Sequence, residues 1–158
     1  MIQNFGWKVW KIMQTEPNHS VQIAWNFSHP PARVWQAWTD PSIAQLWFGS
    51  DPAGKVLDAK FDVQVNGSFS VTFADSDGTE FTCQGIYQEI DAPNQLVFTW
   101  GWANQPDVNE LITLQFLPAE GGTSMLFEQS NIDPKTALHN YDAGWRRTFQ
   151  KLQKALGK

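Results

Sequence analysis

Apolar and polar residues alternate along most of this chain with a period of two, and in three places the period changes to that of a helix. The longest helical stretch is Asp133 to Gly157, where Leu138, Tyr141, Trp145, Phe149 (or Thr148), Leu152 and Leu156 recur at spacings of three and four. That spacing lays an apolar stripe along one face of a helix. Asp133 before Pro134 reads as its cap and first helical position, and Gly157 as its stop. Arg146, Arg147, Lys151 and Lys154 lie off the stripe and towards the end where cations complement the helix dipole. Gly144 inside this helix is costly in propensity, so either a sheet side chain approaches the backbone there or the helix yields to open a pocket.

The period-two segments begin with Val21 to Ser28, where Val21, Ile23, Trp25 and Phe27 share a face. His29-Pro30-Pro31 ends that strand. A short helix follows with Val34, Trp35 and Trp38, and after Thr39-Asp40-Pro41 a second carries Ile43, Leu46 and Trp47 as far as Gly49. From Lys55 onward the pattern is strands: Lys55 to Val65 with a bulge or turn, then Ser68 to Ala74 after the hairpin signal Asn66-Gly67. Glu80 to Ile90, Gln95 to Trp102, Glu110 to Leu117 and Thr123 to Asn131 follow, separated by turns at Asp75-Ser76-Asp77-Gly78, Ala92-Pro93-Asn94 and Gly121-Gly122. Strands joined by hairpins with helices segregated to one side describe an α+β domain. The expected architecture is a curved antiparallel sheet of about six to seven strands wrapped around a long C-terminal helix, with two short helices beside it. It occupies residues 21–158, with residues 1–20 as an extension. In that extension Phe5, Trp7 and Val9 alternate like a strand, while Phe5, Val9, Ile12 and Met13 fit a helical face.

Composition sharpens the picture in one respect. Nine Trp and eleven Phe in 158 residues are far more aromatic surface than stability requires, and every buried indole N–H needs a partner. The inward strand faces collect Phe69, Phe73, Phe81, Tyr87, Phe98, Trp100, Met125 and Phe127 opposite Tyr141 and Trp145, with Gln129 among them. A mostly apolar space with a few oriented polar groups is how small-ligand sites are built. These eleven residues are the expected cavity lining; the same rings in a solid core are the plainer alternative.

Charge and reactive groups mostly exclude. A net charge of −5 with 11 Lys and Arg offers no basic surface for nucleic acid. His19, His29 and His139 show no metal-ligand spacing, and Cys83, the single cysteine, lies on an inward strand face without a basic neighbour in sequence. No phosphate loop or G-x-S-x-G occurs. No catalytic residue, metal or cofactor is therefore assigned. No stretch is long and apolar enough to span a bilayer, and residues 1–18 do not run as a signal sequence would, so a cytoplasmic location is expected.

Several motifs resemble a known family. Pro30-Pro31-Ala32-Arg33-Val34-Trp35-Gln36-Ala37-Trp38-Thr39-Asp40-Pro41, Leu46-Trp47-Phe48-Gly49, the run Gly85 to Trp100, and Asp142-Ala143-Gly144-Trp145 occur in the order seen in the SRPBCC (START-like, birch-pollen-allergen-like) superfamily. Within it they are most similar to the branch of homologues of the activator of the ninety-kilodalton heat-shock protein's ATPase. The resemblance implies the helix-grip fold and non-catalytic binding of a small hydrophobic or aromatic molecule. It leaves two alternatives. One is a cyclase- or aromatase-like enzyme in which Tyr141, Tyr87 or Gln129 assists proton movement. The other is a co-chaperone-like, ATPase-activator-related interaction module, or a homo-oligomer, using Phe5, Trp7, Trp10 or the outer sheet face. Gln64 and Asn66 replace an Arg and a Gly common in the branch, and Gln129 stands where an inward His is common, which weakens an acid–base role there.

Overall fold

The computed structural model of the protein describes residues 19–133 and 140–157. Seven strands, β1 (His19–Phe27), β2 (Lys55–Phe61), β3 (Ser68–Ala74), β4 (Glu80–Asp91), β5 (Gln95–Trp102), β6 (Glu110–Ala119) and β7 (Gly122–Ile132), form one sheet in the order β1-β7-β6-β5-β4-β3-β2. Every neighbouring pair is antiparallel. Helices α1 (Pro31–Thr39), α2 (Pro41–Ala44) and α3 (Tyr141–Leu156) complete the α+β fold. α1 packs on β6 and β7, and α3 on β1 and α1, so the curved sheet grips the last helix.

The periodicities account for this arrangement. On β6 and β7 the inward residues Ile112, Leu114, Phe116, Met125 and Phe127 are fully buried between exposed or half-buried neighbours. On α3 the buried set is Tyr141, Trp145, Thr148, Phe149, Leu152 and Leu156, the expected stripe. The register shift between Val56 and Asp58 supplies the bulge expected in β2. Asn66 takes a left-handed φ of 72°, within a longer loop rather than a two-residue turn: Asp62 N–H donates to Ser68 O and Gly67 N–H to Gln64 O.

Two helix boundaries differ from expectation. α3 starts at Tyr141 and not at Pro134, so Asp133 is not its cap. Asn140 is, with φ 52°, and its side chain accepts from Ala143 N–H. A left-handed residue cannot lie inside a right-handed helix, which fixes the start there. Leu138 and His139, together with Phe5, Trp7 and Trp10, lie outside the described residues. α2 is a single turn ending at Ala44, and Leu46 is 63 % exposed instead of sharing a buried face with Trp47. Beyond Ala44 the chain continues in turn-type hydrogen bonds that drive Trp47 inward, where its Nε1 donates to Ala37 O at 3.0 Å.

Candidate functional site

Between the first turns of α3 and strands β3 to β5 lies a partly open cavity of about 240 Å³. Phe48, Gly49 and Ser50 form one wall, Phe73, Phe81, Trp100 and Trp102 the sheet side, and Tyr141, Gly144, Trp145 and Thr148 the helix side. Asp75 supplies a carboxylate. Trp100 and Trp145 touch, with ring centroids 5.3 Å apart, so the space lies beside that pair and not between its rings. Phe48 stacks 6.2 Å from Trp100 and Phe73 5.6 Å from Phe81, giving a wall of ring against ring.

Local sequence builds each wall. Gly49 has φ +100°, and a Cβ there would sit 3.0 Å from the Phe73 ring, so glycine lets the chain turn over that ring. Lys151 Nζ ties the same segment to α3 by donating to Gly49 O at 3.1 Å and Asp51 O at 3.0 Å. Burial lowers the pKa of this ammonium, while Asp51 and Asp75 oppose the shift. Gly144 answers the question posed by its position. No sheet side chain lies within 4 Å of a Cβ placed there; only Ser50 Cβ does, at 3.7 Å. The helix is continuous through Gly144, whose missing side chain leaves room in the cavity.

Among the described residues, the half-buried Asp75 carboxylate and the Ser50 hydroxyl of the lining have no hydrogen-bond partner. The Trp100 Nε1–H, itself buried away from the space, has none either. Burial, with Asp51 and Asp77 nearby, raises the Asp75 pKa above the usual carboxylate value, against the pull of Lys151. Trp102 Nε1, by contrast, donates to Tyr141 Oη at 2.9 Å.

Of the expected lining, Phe73, Phe81, Trp100, Tyr141 and Trp145 border the cavity. Phe69, Tyr87 and Phe98 pack on one another beside the cavity wall, with the Phe69 centroid 5.1 Å from Phe98 and 6.4 Å from Trp100, and burial drives the Tyr87 hydroxyl pKa upward. Met125 and Phe127 are solid core; the Phe127 ring lies 4.7 Å from Trp145. Gln129 is completely buried behind Trp145, accepting from its Nε1 at 2.7 Å and donating through Nε2 to Glu110 Oε1 at 2.7 Å. Cys83 is buried and its thiol pKa is pushed far up by desolvation.

Residues 28–157 match the family model for "Activator of Hsp90 ATPase homolog 1-like protein". The chain belongs to this family. No curated protein matches it. Among solved structures, a Chromobacterium violaceum protein is similar at TM-score 0.77 and 22% identity, covering 88% of this chain and 97% of its own. An AHSA1-like protein from Aeromonas hydrophila gives 0.74 and 23%, covering 87% and 92%. A protein from Arthrobacter aurescens gives 0.75 and 23%, covering 87% and 85%. At these identities the likeness establishes the shared fold.

Within this activator-homologue-like domain, sequence reading missed Phe48, Ser50, Asp75, Trp102 and Thr148 as lining. Trp102 has the strand parity of Trp100, and Phe48 sits in the Trp-Phe-Gly motif; these were the available signals. Glu110 was also missed. Only 1 % exposed, it shares parity with Ile112, Leu114 and Phe116, and so faces inward. Among the described residues no group of three or more His, Cys, Asp and Glu could hold a metal ion, and no helix is long and apolar enough to cross a membrane.

Proposed function

We propose that the protein binds a small apolar or aromatic molecule, without chemistry, in the cavity between sheet and α3. The observation that carries this is a partly open space of about 240 Å³ walled by the rings of Phe48, Phe73, Phe81, Trp100, Trp102 and Trp145. An apolar cavity of about 150 Å³ takes benzene, so a one-ring molecule with a short substituent suits this one. The ionisable groups of the lining are Asp75 and Tyr141, and the Tyr141 hydroxyl already accepts from Trp102, which supports holding over proton transfer. A larger concavity of about 680 Å³ lies across β2 to β5 and residues 106–109, where the rings of Phe61, Phe69 and Trp102 are interspersed with Lys60, Asp62, Ser68, Ser70, Gln84, Thr99 and Asn109. The smaller cavity has the more continuous wall of rings, which suits a small apolar guest better.

Gly144 provides the test. Gly144→Ala is expected to raise stability by up to about 1 kcal/mol, because helix propensity improves and the new methyl meets Ser50 at ordinary contact distance. Gly144→Leu should keep the fold while filling the space. Calorimetric titration with 2-phenylethanol should then show binding to wild type and affinity at least about tenfold weaker in Gly144→Leu, a loss of about 1.4 kcal/mol. Equal affinity for both proteins would contradict the reading.

A further inference from the structure

We propose that the guest is an organic cation, a small protonated amine or quaternary ammonium, with its apolar body among the rings and its nitrogen facing Asp75. This rests on the binding reading above and narrows it to one charge class.

Three observations converge on Asp75. It is the one carboxylate of the cavity lining, set just past the end of β3 beside Phe73, with Phe81 on the neighbouring β4 and Trp102 on β5 beyond it. Its acidic neighbours are already satisfied. Asp51 accepts from Ser76 N–H at 2.8 Å, Ser76 Oγ at 2.9 Å and Ala53 N–H at 2.9 Å, and Asp77 accepts from Thr79 N–H at 2.9 Å. The Asp75 carboxylate has no hydrogen-bond donor and no ion pair among the described residues. The cation that acts on it, Lys151, spends its ammonium on the carbonyls of Phe48, Gly49 and Asp51.

Partial burial and the nearby charges of Asp51 and Asp77 raise the pKa of Asp75, so its charged form gains from a cation beside it. A neutral guest gives it no such partner, and an anion would be repelled by Asp75, Asp51 and Asp77 together. A cation supplies the missing partner. Phe48, Phe73, Phe81, Trp100, Trp102 and Trp145 supply the aromatic surroundings in which organic ammonium groups are held. The net charge of −5 favours the approach of cations from a distance.

The test is a matched series at neutral pH and low salt: phenethylamine, 2-phenylethanol and phenylacetate, titrated calorimetrically. Phenethylamine is expected to bind wild type about tenfold more tightly than 2-phenylethanol, and phenylacetate not to bind. Asp75→Asn should bring the amine to within about twofold of the alcohol. Asp77→Asn, on the same turn but off the cavity wall, should retain most of the preference and so control for general loss of negative charge. Equal binding of amine and alcohol by wild type overturns the charge assignment while leaving the binding reading intact. An amine preference that survives Asp75→Asn overturns the role of Asp75. Binding of none of the three removes the binding reading itself.

Discussion

Gln129→Leu is expected to destabilise the protein by about 3–5 kcal/mol, because it strands two buried polar groups at once. Its carboxamide accepts from Trp145 Nε1 and donates to Glu110 Oε1, both at 2.7 Å, and all three side chains are 5 % exposed or less. Leucine has similar bulk but satisfies neither partner. For a chain of this length the melting temperature should fall by about 10 °C or more. The companion experiment separates polar satisfaction from packing. Adding Glu110→Leu and Trp145→Phe to Gln129→Leu should recover part of the loss, since an all-apolar replacement leaves fewer orphans. Recovery is incomplete because Asp133 N–H, which donates to Glu110 Oε2 at 3.0 Å, loses its acceptor. If Gln129→Leu alone melts within a degree or two of wild type in calorimetry, the network does not hold Trp145 in place.

The second large effect is Phe149→Ala, at about 3–5 kcal/mol. Phe149 is completely buried, with ring centroids of Phe127, Trp145, Trp25 and Trp38 at 5.3, 5.7, 5.9 and 6.2 Å. Removing it opens a void that rings on every side cannot collapse to fill. Phe81 makes the contrast, since it is half-buried and borders a space that already exists. Phe81→Ala should cost about 1–2 kcal/mol, below the usual core range, while weakening 2-phenylethanol binding. Denaturant unfolding of the two variants tests the division between packed core and cavity wall. Equal losses would mean that Phe81 packs as tightly as Phe149 and that the space beside it is not available to a guest.

That division marks where the sequence stops being informative. Periodicity tells which side chains face inward, because strand and helix geometry alone decide it. Phe73, Trp100, Met125, Phe127 and Trp145 were therefore all placed correctly on the inner side. Which inward rings border empty space depends on how the sheet curves and where α3 settles, and neither is written in the alternation. Phe69 and Phe73 lie on one face of β3, yet only Phe73 reaches the cavity. Phe48 and Ser50 sit in a connection without any period, held by Lys151 and by Arg147 Nε, which donates to Ser50 O at 3.3 Å. The start of α3 was obscured for a similar local reason: the sequence pattern offers Asp133 before a proline as the cap, whereas Asn140 caps α3 through a left-handed backbone. Glu110 shows the opposite case. Its parity placed it inward, but a charge at a strand end reads as solvent-facing until Gln129 is seen beside it.

The most direct measurement is a filtered nuclear Overhauser experiment on the labelled protein with unlabelled 2-phenylethanol, which shows which protons the guest touches. Binding between sheet and helix predicts cross-peaks from the guest ring to Phe73, Phe81, Tyr141 and Trp145. Cross-peaks confined to Ile86, Thr99 and their neighbours in the outer concavity, or none at saturating guest, would contradict it.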